Sequence, residues 1–301
     1  MPEVSVVIVC MNRPDILFPC LDSIKAGNSA AVLETLVVAY RFTPENLSRL
    51  VDLYPWVKVV EGGEGVRGFA ENNNLALRQA QGKYCLILND DTIVPAYSVS
   101  RLVRDFEALP PEAAAVSPRI VFPDGRVQTL GRAPWSLGRY MLHYLHLVDE
   151  TRPSKWSMKD GLFRTYTLNG ACFLIKTEVF RSVGFFDERF FFTPEDIALG
   201  HLLNSSGYSV YADADVSITH LAGGSVSKME QAIKPARVKG ALLFYGHRWL
   251  LGSFIWCYEA LRSLRWCFRK DSVNYRTARN VMSCVFTSET PKEVFIKYLP
   301  R

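Results

Sequence analysis

Two pairs of adjacent acids and one histidine are the residues best placed to do chemistry. Asp90 and Asp91 interrupt the apolar run "LILNDDTIV" (86–94), Glu195 and Asp196 follow the aromatic stretch "GFFDERFFFTP", and His220 closes "VSITH". Unpaired carboxylates are expensive to bury, so an acidic pair at the mouth of an apolar strand belongs where a cation, a backbone donor or water meets it. A magnesium or manganese ion carrying a diphosphate takes only one or two protein carboxylates and keeps most of its waters. The alternative for this pair is a turn that caps the helix after Pro95, a position Asn and Asp favour. For Glu195 and Asp196 the plain role is to oppose a helix dipole; the chemical one is to take a proton from an attacking hydroxyl. Five Phe within residues 185–192 suit sugar rings beside these carboxylates, and equally suit a core. His220 is either a structural strand-end residue or the ligand that completes a metal site begun by Asp91. "HYLH" (143–146) is a second spaced His pair, with no third ligand nearby in the sequence.

"GEGVRG" (63–68) competes with this reading. It matches the dinucleotide fingerprint, follows the strand-like "VKVV", opens a helix and precedes Asp90 by 22 residues, as in an NAD-dependent oxidoreductase. However, it falls after the third strand instead of the first, and an Asp-Asp pair replaces the single ribose acid, so a flexible turn before a helix is the plainer reading.

The elements that position these residues alternate in the α/β manner over the first half. "VSVVIV" (4–9), "LETLVVAY" (33–40), "VKVV" (57–60) and "YCLILND" (84–90) read as strands. Between them lie helices over "PDILFPCLDSIKAG", closed by Gly27, "TPENLSRLVDLY", with Thr43 as N-cap and Pro44 as first helical residue, and "FAENNNLALRQA" (69–80). Strands joined by single helices make a mostly parallel sheet that binds ligands at its carboxyl ends, where Asp90 and Asp91 fall. Beyond about residue 114 the pattern predicts a hairpin around "PDG" (123–125), a loop or flap over 132–162 and a strand over "NGACFLI" (169–175). A short helix over "KTEVFRSV", a helix over "PEDIALGHLLNSSG" and two short strands within 208–220 follow; past 231 the chain reads as helical and basic.

With 301 residues, 49% of them hydrophobic, the chain can bury a sizeable core. Its seven Cys, without a CxxC pair, read as reduced core residues and not as a disulfide framework or zinc site. No basic segment or apolar leader precedes "VSVVIV", which predicts a cytoplasmic address, at the inner face of the membrane if the acceptor is membrane-bound. The net charge of +5 originates in one segment: Lys234 to Lys270 carries eight Lys or Arg against the single acid Glu259.

In order along residues 3–225, these segments resemble the family 2 inverting glycosyltransferases of the GT-A fold, particularly the rhamnosyltransferase-like branch. "VSVVIVCMNRPDIL" is similar to the first strand and Asn-Arg turn, "GFAENNNLAL" to the donor-site helix, and "LILNDDT" to the DxD-type metal site. "LNGACFLIKTEVFRSVGFFDERFFFTPED" is similar to the acceptor segment and "HLAGGS" to the C-terminal His motif. The resemblance implies a nucleotide-diphospho-sugar transferase with a Rossmann-like mixed sheet flanked by helices and a C-terminal helical extension. It implies a catalytic domain over 1–230, with a nucleotide-binding half to about 112 and an acceptor half from about 113, and an extension over 231–301. It implies donor contacts from Asn12, Arg13, Asn74 and Asp90, and acceptor contacts from Phe192 and Glu195. Asp91 and His220 would hold Mg2+ or Mn2+, and Asp196 would be the general base for an inverting transfer onto a saccharide or lipid-linked acceptor. Such a transfer of rhamnose or another hexose would serve surface polysaccharide synthesis.

Three positions depart from the family pattern. Ala39 stands where the family's base-binding Asp is expected, with Tyr40 or Arg41 as stacking substitutes; Met11 replaces an aromatic and Ala198 a second acid. These departures keep a non-catalytic sugar- or nucleotide-binding homologue as the alternative. In "ALLFYGHRWLLGSFIWCYEALRSLRWCFRK" (241–270) the longest uncharged stretch, Trp249 to Tyr258, is far short of the ~20 residues of a membrane span. Its Trp and Arg content fits a helix lying on an anionic membrane surface, or one packed on the catalytic domain or in a homodimer. No nucleic-acid-binding module accompanies the charge.

Overall fold

The structure, a computed structural model, describes residues 3–28, 30–63, 65–148, 154–157, 160–221, 229–269 and 272–300. The first half alternates through β1 (Val4–Met11), α1 (Pro14–Gly27), β2 (Val32–Tyr40), α2 (Pro44–Leu53), β3 (Val57–Glu61), α3 (Phe69–Leu77) and β4 (Tyr84–Asn89). Helix α2 begins where the Thr43 hydroxyl accepts the Asn46 N–H and Pro44 occupies a position that needs no donor. The four strands are parallel in the order β3-β2-β1-β4. Alternate residues face opposite layers: Val6 and Ile8 pack with Leu17, Leu21 and Phe106, while Val7 packs with Leu77, Phe173 and Leu203.

The second half extends the same sheet. It runs β5 (Thr92–Ile93), α4 (Ser98–Glu107), β6 (Ala113–Val121), β7 (Val127–Thr129), α5 (Leu137–Tyr144), β8 (Leu162–Thr165), β9 (Cys172–Lys176), α6 (Thr177–Ser182), α7 (Glu195–Ser205) and β10 (Ser209–His220). Strand β9 lies antiparallel beside β4, β6 antiparallel beside β9, and β10 parallel to β6, with β5 antiparallel to the end of β10.

Two expectations are corrected here. The 132–162 segment contains helix α5: Ser136 caps it by accepting the Arg139 N–H, and Leu137, Tyr140, Met141 and Tyr144 supply one apolar stripe. Residues 209–220 form one strand, because the irregularity between Asp213 and Ser217 is absorbed as a bulge in which Asp213 Oδ1 accepts the Asp215 N–H (2.9 Å).

The chain continues as α8 (Glu230–Tyr245), α9 (Arg248–Arg265), α10 (Val273–Cys284) and α11 (Pro291–Tyr298). The α5 stripe packs on a small core of Val238, Leu242, Leu251, Ile255, Val281 and Val285. Phe191 is buried with Ala232, Ile233, Ala236 and Phe295, so the extension grips the aromatic loop before α7. All seven cysteines are free thiols; Cys257 is exposed and Cys267 half-buried. Among the described residues no helix is long and apolar enough to cross a membrane.

Candidate active site

Strands β1 and β4 run side by side and parallel, and the candidate residues lie just beyond their carboxyl ends. After β4 the chain turns through Asp90 and Asp91, fixed by the Thr92 hydroxyl, which donates to the Asn89 carbonyl at 2.8 Å. It then pairs with the end of β10, Thr92 opposite His220, and the Leu221 N–H donates to the Asp91 carbonyl at 2.8 Å. This short antiparallel ladder sets Asp91 Oδ1 3.0 Å from His220 Nε2, both side chains being largely buried.

Gln128, on β7, completes the group. Its Oε1 can only accept, so His220 Nδ1–H donates to it (2.8 Å), which turns Nε2 toward Asp91. An imidazole lone pair and a carboxylate at that separation need a proton or a cation between them. One oxygen and one nitrogen donor suit a divalent ion whose remaining positions are filled by phosphate oxygens and water. Among the described residues no cluster of three or more His, Cys, Asp or Glu could cage a metal. Asp90 sits beside it; burial first, and then the charge of Asp91, push its carboxyl above the usual range, while Cys10 and Arg13 oppose the shift.

The helix-cap alternative for the acids does not hold. The Val99 N–H at the start of α4 is taken by Asn28 Oδ1 (3.0 Å), a buried side chain from the end of α1.

Asp196 lies in the first turn of α7. Its Oδ1 accepts its neighbour's N–H, from Ile197 (2.8 Å), while Oδ2 accepts the Gly170 N–H (3.3 Å) and an Arg132 Nη1–H (3.2 Å). The same short segment reaches the other acids, because the Ala171 carbonyl accepts the Asn89 N–H (2.9 Å) where β9 begins beside the end of β4. Asp196 also forms part of the wall of a cavity of about 620 Å³, lined further by Arg132, Trp135, Tyr140, Tyr144 and Tyr245.

The remaining candidates are placed differently. Asn74 is buried and fully engaged: its amide nitrogen donates to the Phe186 carbonyl and Glu188 Oε1 (both 2.9 Å), and its oxygen accepts the Phe186 N–H. It braces α3 against the aromatic loop. Asn12, at φ 51°, accepts the Thr43 N–H (3.0 Å) and an Asn46 amide hydrogen (2.9 Å), tying the end of β1 to α2. Arg13 follows it and acts electrostatically on Asp90. Glu195 is buried behind Asp196, one oxygen accepting the Thr193 N–H (2.6 Å); burial and then the charge of Asp196 push its carboxyl up. Phe192 stacks on Phe295 with Arg237 above it, outside the residues lining the cavity. The Phe run is therefore mainly core, Phe186, Phe190 and Phe191 being buried. His143 packs edge-on to Trp135 in the cavity wall. The "AGGS" part of the last motif lies outside the described residues, as does Glu64 of "GEGVRG".

In that glycine pattern Gly68 is demanded by packing, since a Cβ there would collide with the Phe191 carbonyl, and Gly63 by its φ of 64°, while Gly65 has open space around it. The Tyr40 hydroxyl donates to the Gly65 carbonyl and accepts the Arg67 N–H (both 3.0 Å), so Tyr40, buried in this role, is not a stacking substitute for the missing acid. The turn follows β3 at the sheet edge, away from the crevice between β1 and β4, which removes the dehydrogenase reading.

Sheet order and site position define a class, the GT-A glycosyltransferase fold. Solved structures share it: GalNAc-T7 with UDP, GalNAc and Mn2+ (TM-score 0.58, 16% identity, covering 97% of this chain and 58% of that one). The mannosyltransferase PcManGT from Pyrobaculum calidifontis, in complex with GDP-Man and Mn2+, gives a TM-score of 0.55 at 16% identity over 99% and 79% of the two chains. Within that class, the chain belongs to glycosyl transferase family 2, whose family model matches residues 5–183. It is 29% identical over 237 residues, 78% of its length, to the O-antigen biosynthesis protein RfbC of Myxococcus xanthus, of which it spans only 18%. It is 26% identical over 246 residues to the N-acetylglucosaminyl-diphospho-decaprenol L-rhamnosyltransferase of Mycobacterium tuberculosis, covering 71% of this chain and 76% of that protein.

Proposed function

We propose that this chain is an inverting glycosyltransferase that moves a sugar, rhamnose or another hexose, from a nucleoside diphosphate to a saccharide or lipid-linked acceptor in surface polysaccharide synthesis. The observation that carries it is the Gly170–Ala171 segment, whose backbone serves Asp196 on one side and the Asn89–Asp91 turn on the other. A proton acceptor and a diphosphate-holding edge set side by side is the arrangement a single displacement needs. Asp196 takes the acceptor hydroxyl proton; the oxygen bonds to the anomeric carbon from the face opposite the leaving group, and the electron pair of the broken bond departs on the diphosphate. Arg132 and the Gly170 N–H aim the carboxylate. Asp91 and His220 would hold Mg2+ or Mn2+, which supplies charge stabilisation for the departing diphosphate. Asp90 and Arg13 would face the donor, as would Met11 and Arg41, both exposed at the ends of β1 and β2.

Contact with an anionic membrane surface is supported by α9. Its inner face buries Leu251, Gly252, Ile255 and Glu259, while Trp249, Leu250, Trp256, Leu261 and Leu264 are exposed beside Arg248 and Arg265.

The non-catalytic alternative is favoured by Ala39, since Tyr40 is committed to the turn. A panel of nucleotide sugars with manganese, followed by nucleotide release, decides between them. Release with one or more donors that disappears on chelation supports the transferase; donor binding by calorimetry without any turnover supports the binding homologue.

A further inference from the structure

The cavity beside Asp196 carries more cation than the proposed proton transfer uses. Arg132, Lys234, Arg237 and Arg262 line it, against the carboxylates Asp196 and Glu230. Glu259, fully buried behind the wall, divides itself between Lys234 Nζ (2.6 Å) and Arg262 Nε (3.5 Å) while also accepting the Tyr144 hydroxyl (2.7 Å). Four cations therefore share three carboxylates, and Glu195 behind Asp196 holds its proton more tightly than a free carboxyl does. Arg237 has no carboxylate at ion-pair distance among the described residues and lies over the Phe192 ring (5.2 Å). The Nε atoms of Arg132 and Arg237 are both buried without an acceptor among the described residues. Alongside these cations, Trp135, Tyr140, Tyr144 and Tyr245 line the wall, Lys234 lying 4.9 Å over the Tyr144 ring, and about 620 Å³ is room for a sugar with its substituents.

We propose that this cavity is the acceptor subsite and that it selects an anionic acceptor, a saccharide carrying a phosphate or diphosphate, which Arg237, Arg262 and Lys234 hold while Asp196 meets the hydroxyl. The assignment rests on the transferase reading and deepens it. Guanidinium forks match phosphate oxygens, and an acceptor held through its charge leaves the sugar's hydroxyls free to be placed by the aromatic wall.

The test is calorimetric titration of the full chain with inorganic pyrophosphate in the presence of a chelator, which silences the metal-dependent donor edge. The unaltered protein binds pyrophosphate more tightly than an uncharged methyl hexoside. Arg237→Ala weakens pyrophosphate about tenfold or more, and Arg237→Lys recovers part of the loss. Arg262→Gln, on a different helix, weakens it as well, so that a folding defect in one variant does not decide the matter. Farnesyl diphosphate binding more tightly than pyrophosphate assigns a lipid-linked acceptor; equal binding assigns a soluble sugar phosphate. No pyrophosphate binding at millimolar concentration, or binding unchanged in both variants, overturns the assignment. Binding of nucleotide sugars with manganese to the unaltered chain is measured separately: its absence sinks the transferase reading, whereas its presence with a silent pyrophosphate titration sinks the anionic subsite alone.

Discussion

The proposed donor edge and the proposed acceptor cavity are built by different means. At the donor edge, backbone does the placing: parallel strands deliver Asn12, Arg13 and the two aspartates to one rim, and a two-residue ladder brings His220 to Asp91. Around the cavity, side chains do it. Helix α5 and helices α8 and α9 of the extension meet through one buried carboxylate, Glu259, which joins Tyr144, Lys234 and Arg262. An edge fixed by sheet register tolerates little change, while a cavity held by side-chain networks can be re-lined without disturbing the sheet. On the proposed reading, the half of the reaction that handles the donor is on the rigid part, and the half that would vary with acceptor is on the adjustable part.

Alterations on the two sides should separate cleanly. The largest effect is expected at the donor edge: Asp91→Ala, or chelation of the unaltered protein, takes nucleotide release to background. Release that survives both would remove Asp91 from the metal site. Next, Asp196→Asn lowers kcat by about 10²- to 10⁴-fold, the range of general-base contributions, with donor affinity nearly unchanged. A matching fall in donor affinity would show that the two sides are not separable. Gln128→Leu leaves His220 free to rotate and weakens manganese binding about 10- to 100-fold, read from free Mn2+ by electron paramagnetic resonance; unchanged affinity would deny Gln128 its orienting role. Glu259→Ala leaves the partly buried Lys234 and Arg262 charges without their shared partner, at a cost of up to about 3 kcal/mol in unfolding free energy. Since α5 hangs on the same contact, KM for acceptor rises while that for donor holds. A stable variant with unaltered acceptor KM would show that α5 is held by its apolar stripe alone.

The same division explains what the sequence disclosed. Strands β1 to β4, their helices and the acids at the rim were legible because each depends on patterns a few residues long: apolar runs, the Thr43–Pro44 start, an acidic pair at a strand end. His220 was legible from its place at the end of an apolar strand. Gln128 was not, although the "PDG" hairpin was, because its proximity to His220 exists only once β6 lies beside β10. Arg132 and α5 were hidden in an aromatic stretch whose helical stripe has its partner more than 90 residues later, in Val238, Leu251 and Val281. The bracing contacts of Asn74 were hidden for the same reason: its hydrogen bonds go to Phe186 and Glu188, over 110 residues away. The GxGxxG-like turn kept a second reading open, since a glycine demanded by close backbone packing, as at Gly68, and glycines demanded by a phosphate look alike in one dimension.

The Gly170–Ala171 segment acts as a gauge between the two halves. On the proposed reading, the reach from the leaving-group edge to the proton acceptor is set by two peptide groups, one offering its N–H to Asp196 and the other its carbonyl to Asn89. Because that segment acts through its backbone, walls, charges and ring faces of the cavity could drift toward new acceptors over many generations while the attacking oxygen and the departing phosphate stay in step.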